Sequence, residues 1–413
     1  MIRKAGIRNS RSLGFASIAS TLLVALGACS WTTFDDLEGD TWVTSTEKPS
    51  NDSSNWGVAI QRGQASGTGG RLVVMGANQS LYSELQVTSD GDISVPATEL
   101  QLNSQFGIGN LDPQPILLAD PTSNDVALVT SSGSASIAVL KGANGNLVVH
   151  QVFGPASADA ATYMIPPAPA SEIAQTLVAE GDKVYGTFFM NPPNPQPSCP
   201  LKDGASAVTV GALGALPTGG PTDDVIVWST TGKVLVYPGS VFNGCVMQTA
   251  TTVSATETSG KPSKGSQILP FTSGTNKFAV LQGHDMSGNG FLALFNFDGV
   301  PTLVGTARTE NGIKTAALME LAGKRYVVAG FPDAIVDGNA GAGQVQVFEV
   351  DTTTGIGSSV MTLHDAQPEG KQAFGRAVTV MPFDGKPLIV VAADNEVFTY
   401  FRTTLYDETR LGR

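Results

Sequence analysis

The feature that most constrains this chain is an internal rhythm. A short apolar run, a tight turn, a second run ending in small residues, a loop and a third, alternating run recur along it. The clearest copies are "AFGRAVTVMPFDGKPLIVVAADNEVFTYFRTTLYDETR" (373–410) and "TAALMELAGKRYVVAGFPDAIVDGNAGAGQVQVFEVD" (315–351). Others occupy 56–91, 115–152, 205–239 and 265–299, with a weaker copy over 171–196. Self-similarity at roughly 40 to 50 residues marks stacked or radial repeats rather than a single unrepeated core.

Within each unit the apolar residues are Val, Leu, Ile, Phe and Thr, and clusters of Gly, Asn, Asp, Ser and Pro separate them. Only 15% of residues are charged and 47 are glycine, while runs with a helical period are nearly absent. The chain is therefore expected to be all-β. One small antiparallel sheet cannot bury both of its faces, whereas a ring of such sheets can, leaving only short protected edges. The expected architecture is a β-propeller of seven four-stranded blades forming one domain over 54–413; irregular units between 155 and 260 leave six or eight blades open. An N-terminal strand from residues 40 to 60 could pair with the last blade, and the sequence leaves that open as well.

The glycine-rich stretch "VVAGFPDAIVDGNAGAGQVQVFEVD" (327–351) reads as a connection between strands. Tyr326–Ala329 form an inner strand, Gly330 lets the backbone leave it and Pro332 ends it. Gly338, Gly341 and Gly343 allow a tight return. "QVQVF" then alternates, with one face expected buried and one wet.

Phe374-Gly375 opening one strand, and Gly330-Phe331-Pro332 closing another before a glycine-rich loop, resemble the two signatures of the FG-GAP repeat. Trp56-Gly57 and Phe106-Gly107 are further copies of the first signature. The resemblance implies the seven-bladed propeller of the integrin-α type. That family often carries a calcium loop with alternating Asp and Asn oxygens between the first two strands of a blade. Calcium takes six to eight oxygens, and the matching turns here, "LAGK" (321–324), "FDGK" (383–386) and "LPTGGPTDD" (216–224), lack the alternating carboxylates. No metal or other cofactor is expected. Asp333 and Asp337, or Asp90 and Asp92, read as turn formers.

Catalytic signatures are missing too. His150, His284 and His364 fall in different repeats, none with a second histidine at a metal-ligand spacing. "HDMSGNG" (284–290) could set a base beside its orienting carboxylate, but a polar turn explains it more simply. Adjacent acids such as Asp35-Asp36 or Asp223-Asp224 point to opposite faces of a strand, so they form no two-carboxylate site. No catalytic residue is assigned, and the binding residues stay unknown.

The N-terminus is the most specific local signal. Arg3, Lys4, Arg8 and Arg11 precede an apolar run that ends in Leu26-Gly27-Ala28-Cys29. A charged start, a short apolar core and a small-residue exit make a signal peptide over 1–28, and its last four residues resemble the bacterial lipobox, implying lipidation of Cys29. Residues 29–53, polar and rich in Ser, Thr and Asp, read as a flexible tether, with a root-mean-square reach on the order of 25 to 30 Å. Losing four cationic side chains and no acidic one takes the formal net charge from −12 to −16. Such an acidic body argues against nucleic acid and against charge-driven membrane binding, leaving acyl chains as the membrane contact.

These observations describe a lipid-anchored protein of the bacterial cell envelope, by resemblance to enteric lipoproteins at the outer membrane. Its monomeric body would bind an envelope or extracellular protein or a glycan. The proline-rich excursions 155–172 and 191–205 are the candidate recognition loops. An assembly factor similar to PQQ-type propeller lipoproteins is the alternative, although the tryptophan that ends each of those repeats is absent; a propeller hydrolase or lyase is the third reading. Cys199 and Cys245 are expected to form a disulfide in an oxidising compartment, with buried free thiols as the other reading. Alkylation of the unfolded, secreted chain should find neither thiol reactive before reduction and both reactive after it.

Overall fold

A computed structural model of the chain describes the backbone of thirty-one strands between Thr41 and Arg402. It describes side chains at 209, 211, 225–229 and 232–236 and, with few breaks, over 260–394. Residues 1–40, including the signal segment and Cys29, lie outside the described residues, as do Asp90, Asp92, Phe106 and Cys245.

The strands fall into seven antiparallel sheets, and no helix occurs among the described residues. In chain order the sheets span 56–101, 117–153, 161–200, 207–254, 260–308, 315–363 and 377–402, and are called first to seventh below. Each contains one of the seven sequence units. The first, fourth, fifth and sixth units lacked their sheet's last strand, such as Thr302–Arg308 or Gly355–Leu363. Glycines and serines dilute the strand pattern there, and the outward face is solvated.

Two expectations need correction. Thr41–Glu47, placed in the tether 29–53, form a strand that pairs residue for residue with Glu396–Arg402 and completes the seventh sheet. Its "TWVTSTE" is polar because it lies at a sheet edge, so only its β-branched content marks it as a strand. The excursion 155–172 contains the strand Ala161–Ile165, which pairs with Gln175–Glu180 and opens the third sheet. Within 191–205, Asn194–Pro195 and Cys199–Pro200 both pair with Lys183–Phe188. Prolines at an edge are compatible with this because their missing N–H can face away from the ladder.

The core consists of contacts between successive sheets. Phe278, Val280, Leu292 and Leu294 of the fifth sheet pack on Val327, Ala329, Phe331 and Phe348 of the sixth. The other face of the sixth sheet turns Tyr326, Val328, Val345 and Val347 toward Phe374, Val378, Ile389 and Val391 of the seventh. Lys324–Phe331 is thus apolar on both faces, which is why "YVVAGF" does not alternate although it lies in an antiparallel sheet. The same holds for Gln344–Asp351: Val345 and Val347 are buried on one side, Phe348 and Val350 on the other. The expectation of one wet face for "QVQVF" is corrected to two covered faces, with only Gln344 and Gln346 half-exposed. The fourth and fifth sheets interlock similarly, through Trp228 and Ile226 against Ile268, Leu281 and Phe295.

The turn at Leu321–Lys324 is a two-residue hairpin with Ala322 and Gly323 both at positive φ (47° and 77°), the conformation that matches strand twist. Elsewhere glycine serves close approach. A Cβ on Gly330 would lie 2.0 Å from the carbonyl oxygen of Gly375, and one on Gly375, whose φ is +87°, 2.5 Å from that of Gln344. The sixth and seventh sheets therefore touch backbone to backbone where Phe374-Gly375 meets Gly330-Phe331. Gly330→Ala should cost about 2 to 4 kcal/mol, since the backbones must part. Gly323→Ala, in open space, should cost about 1 to 2 kcal/mol for its dihedral alone. Denaturant titration of both variants should rank them in that order.

Candidate functional site

Loops that join second to third strands, and one sheet to the next, meet at successive points along the described region. Where the fifth sheet meets its connection to the sixth, Gly290 N–H donates to the carbonyl of Asn311 (2.9 Å) and Thr309 N–H to that of Gly290 (3.0 Å). Further along, Lys371 N–H donates to Ala340 (3.0 Å), Ala373 N–H to Gly341 (2.8 Å) and Phe374 N–H to Ala342 (2.9 Å). Asp394 N–H then donates to Gln372 (2.6 Å). The segment 364–376 is thereby laced to the glycine-rich loop 332–343 on one side and to the seventh sheet on the other. Lys371 and Ala373 sit at positive φ (68° and 55°), a conformation unfavourable for non-glycine residues and imposed here by those bonds.

The polar side chains of these loops mostly hold the loops. The Asp285 carboxylate accepts from the backbone of Ser287 (2.8 Å) and Asn289 (3.0 Å) and from the Asn289 amide (3.2 Å). Burial pushes this carboxyl up, but those hydrogen bonds and the nearby Arg308 charge outweigh it, so its pKa lies below the ordinary value. His284 accordingly does not receive Asp285 as an orienting partner, and its Nδ1 is buried without one. His364 bonds through Nδ1 to the carbonyl of Asp365 (2.8 Å), and His150 lies in a strand of the second sheet. The three histidines belong to the sixth, second and fifth sheets or their exits and share no described contact.

Of the carboxylates considered as oxygen donors, Asp337 adopts positive φ (51°) before Gly338 and Asp333 is exposed. Among the described residues no three His, Cys, Asp or Glu side chains gather in a way that could hold a metal ion. Arg376 and Asp394 form a half-buried ion pair (3.1 Å), beside which Gln372 donates to the Asp365 carboxylate. Burial lowers the Arg376 pKa and Asp394 partly restores it.

One concave feature stands out, and sequence reasoning missed it. Between the outer strand of the fifth sheet, Thr302–Arg308, and the third and fourth strands of the sixth runs an open groove of about 480 Å³. Phe331, Phe348 and Ile356 form its apolar lining, and Thr306, Gln344, Gln346 and Ser358 supply hydroxyls and carboxamides. Its origin is visible in the ladder. Gln346 pairs with Ala329 and Phe348 with Val327, so glutamines continue the same face that packs apolar side chains on the fifth sheet lower down. The interface between sheets opens where Gln replaces Phe and Val. The polar members of "QVQVF" were the signal, concealed because an exposed face predicts the same residues.

No model of a known protein family matches the chain, and none of the curated proteins does. Solved structures do resemble it. Virginiamycin B lyase from Staphylococcus aureus superposes with a TM-score of 0.53 at 11% identity, covering 87% of this chain and 99% of the lyase. A protein described as a 6-phosphogluconolactonase from Bacteroides uniformis gives 0.53 at 12% identity, covering 79% of this chain and 97% of its own. Both are propeller-type folds. The fold of this chain is all-β and propeller-like. At such identities the likeness extends to the fold alone.

The turn at Asp351 yields a pH-dependent expectation. Its carboxylate accepts from the Thr353 hydroxyl and from the N–H groups of Thr353 (2.7 Å) and Thr354 (2.9 Å), which hold its pKa down to about 2 from 3.8. A depressed carboxyl stabilises the fold above its unfolded pKa and loses that contribution as pH falls through the folded one. Asp351 is exposed, so the contribution is small, on the order of 1 kcal/mol or less. Asp351→Ala should lower the melting temperature at pH 7, and the gap to wild type should narrow between pH 4 and pH 2.

Proposed function

We propose that the seven sheets close into a seven-bladed propeller of the FG-GAP type. The pairing of Thr41–Glu47 with Glu396–Arg402 would latch the ring, and the body would be a lipid-anchored, non-enzymatic interaction module of the bacterial envelope. The observation that carries the reading is how the described loops use their polar groups. Asp285, Asp351, His364, Asp365 and Arg376 are each engaged in a turn or a junction, while an open groove lies between two rigid sheets. A scaffold of that kind presents a preorganised surface and, among the described residues, converges no general acid, base or nucleophile.

The contact between Phe374-Gly375 and Gly330-Phe331 supports the FG-GAP assignment, because the two signature segments approach one another at a sheet junction. Anchoring through Cys29, an outer-membrane address, a monomeric body, and an envelope or extracellular protein or glycan as partner follow from the signal segment and the acidic composition. The recognition surface is sought in the groove as well as in 155–205, since strands of the third sheet, among them Ala161–Ile165, Gln175–Glu180 and Lys183–Phe188, run through that stretch.

Labelling of a bacterial host with an alkyne fatty acid tests the anchor. The wild-type chain should take up the label and sediment with membranes, and Cys29→Ala should do neither. An unlabelled wild-type chain, or labelling that persists in Cys29→Ala, would refute it. The non-enzymatic reading is tested by presenting 6-phosphogluconolactone and virginiamycin B to the purified protein; turnover of either above the uncatalysed rate would refute that part.

A further inference from the structure

We propose that the anchored protein sits with one end of its fifth, sixth and seventh sheets on the lipid bilayer, the end at which Thr41 enters the fold. The proposal rests on the reading of Cys29 as the anchored residue and adds the surface that meets the lipid.

The strand register fixes where the chain enters. Thr41 pairs with Arg402 and Glu47 with Glu396, while Ile389 pairs with Tyr400 and Ala393 with Glu396. Thr41 therefore lies toward the hairpin at which Phe383 turns back into Lys386. The sixth sheet makes the same turn at Leu321–Lys324 and the fifth at Ser273–Asn276. These turns share one end of the stack. Arg325, just past the turn of the sixth sheet, lies over the ring of Phe271, just before the turn of the fifth (4.4 Å). Gly330 meets Gly375 at the opposite end, where the glycine-rich loop 332–343 and the segment 364–376 lie.

The length of chain before Thr41 makes that end matter. Residues 30–40, eleven in all, separate Cys29 from the first strand. At 3.3 to 3.6 Å per residue they reach at most about 40 Å. A seven-residue strand is itself about 20 Å long, so a body presenting its loop end to the lipid would use half of that reach in running back along the seventh sheet. Holding a chain near full extension costs conformational entropy. The turn end can meet the bilayer without that cost.

Charge separates the two ends in the same sense. Among the described residues of these three sheets and their loops, the turn end holds five bases and four acids, a formal charge of +1. Two of those acids are paired, Glu349 with Lys324 (3.4 Å) and Glu320 with Arg325 (3.7 Å). The loop end holds five bases and nine acids, a formal charge of −4. Fields are screened beyond about 8 to 10 Å at moderate salt, so an anionic bilayer acts mainly on the end that touches it and disfavours the loop end there. The acidic body as a whole still gains no attraction to lipid; the contrast selects only which end approaches. Thr306–Asn311, which line the groove, belong to the loop end, so the groove opens away from the membrane.

Energy transfer to the bilayer tests this. Residues 30–413, carrying an N-terminal hexahistidine tag in place of Cys29, are bound to nickel-chelating lipid in vesicles of phosphatidylethanolamine and phosphatidylglycerol that contain a rhodamine lipid. A donor dye is attached to Thr275→p-azidophenylalanine at the turn end or to Glu369→p-azidophenylalanine at the loop end, both exposed positions. Transfer should be roughly twofold more efficient from position 275, since strands about 20 Å long separate the two ends. Thr302 and Gln367, exposed at the same two ends, take the same substitution if either first variant fails to fold. Equal transfer from both ends, as a body lying on its side would give, or stronger transfer from the loop end would overturn the proposal. Because the tag stands in for Cys29, absence of acylation in the cell leaves this measurement unchanged, and the two readings fail separately.

Discussion

The structure depends on each sheet being covered on both faces by its neighbours. A four-stranded antiparallel sheet exposed on one side would alternate between apolar and polar residues, yet Lys324–Phe331 and Asn276–Asp285 are buried almost throughout their length. Their alternate side chains go to different sheets: Val327 and Ala329 to the fifth, Tyr326 and Val328 to the seventh. Burying a Val, Leu or Phe side chain is worth about 1.5 to 3 kcal/mol, and no sheet could realise that on both faces alone. Stability is therefore a property of contacts between units, and the units need each other in sequence.

Close stacking also accounts for several of the glycines. Where the sixth sheet meets the seventh, Gly330, Gly343 and Gly375 bring main chains together at distances that a Cβ would prevent. The segment 364–376 is held by backbone hydrogen bonds to the sheets on either side, strongly enough to keep Lys371 and Ala373 in the left-handed region. Rigid loops follow from rigid junctions. The polar residues in them, Asp285 and Asp365 above all, serve as acceptors for nearby N–H groups. A stretch such as "HDMSGNG", which contains a His beside an Asp but reads from the sequence as a polar turn, is a turn in the structure.

The groove marks a place where stacking gives way. Along Gln344–Asp351 the face toward the fifth sheet runs Val350, Phe348, Gln346, Gln344, passing from buried to half-exposed. The sheets diverge where the side chains turn polar. Nothing local distinguishes these glutamines from the solvent face of an ordinary strand, so their role depended on knowing what lies opposite.

The sequence by itself determined the strand-rich class, the approximate spacing of the repeating units, and the glycine turns, because these follow from dihedral preference and from apolar runs a few residues long; it left six, seven or eight units open. It also made the metal-free reading of "LAGK" available, since carboxylates that are not present cannot converge. Tertiary structure alone decided that "TWVTSTE" leaves the tether for the seventh sheet, that "ATYMI" opens the third, and that Gln344 and Gln346 face a neighbouring edge. The reason is range. Backbone preference acts over adjacent residues, whereas strand pairing between Thr41 and Arg402 and packing between sheets join residues that the chain order keeps far apart.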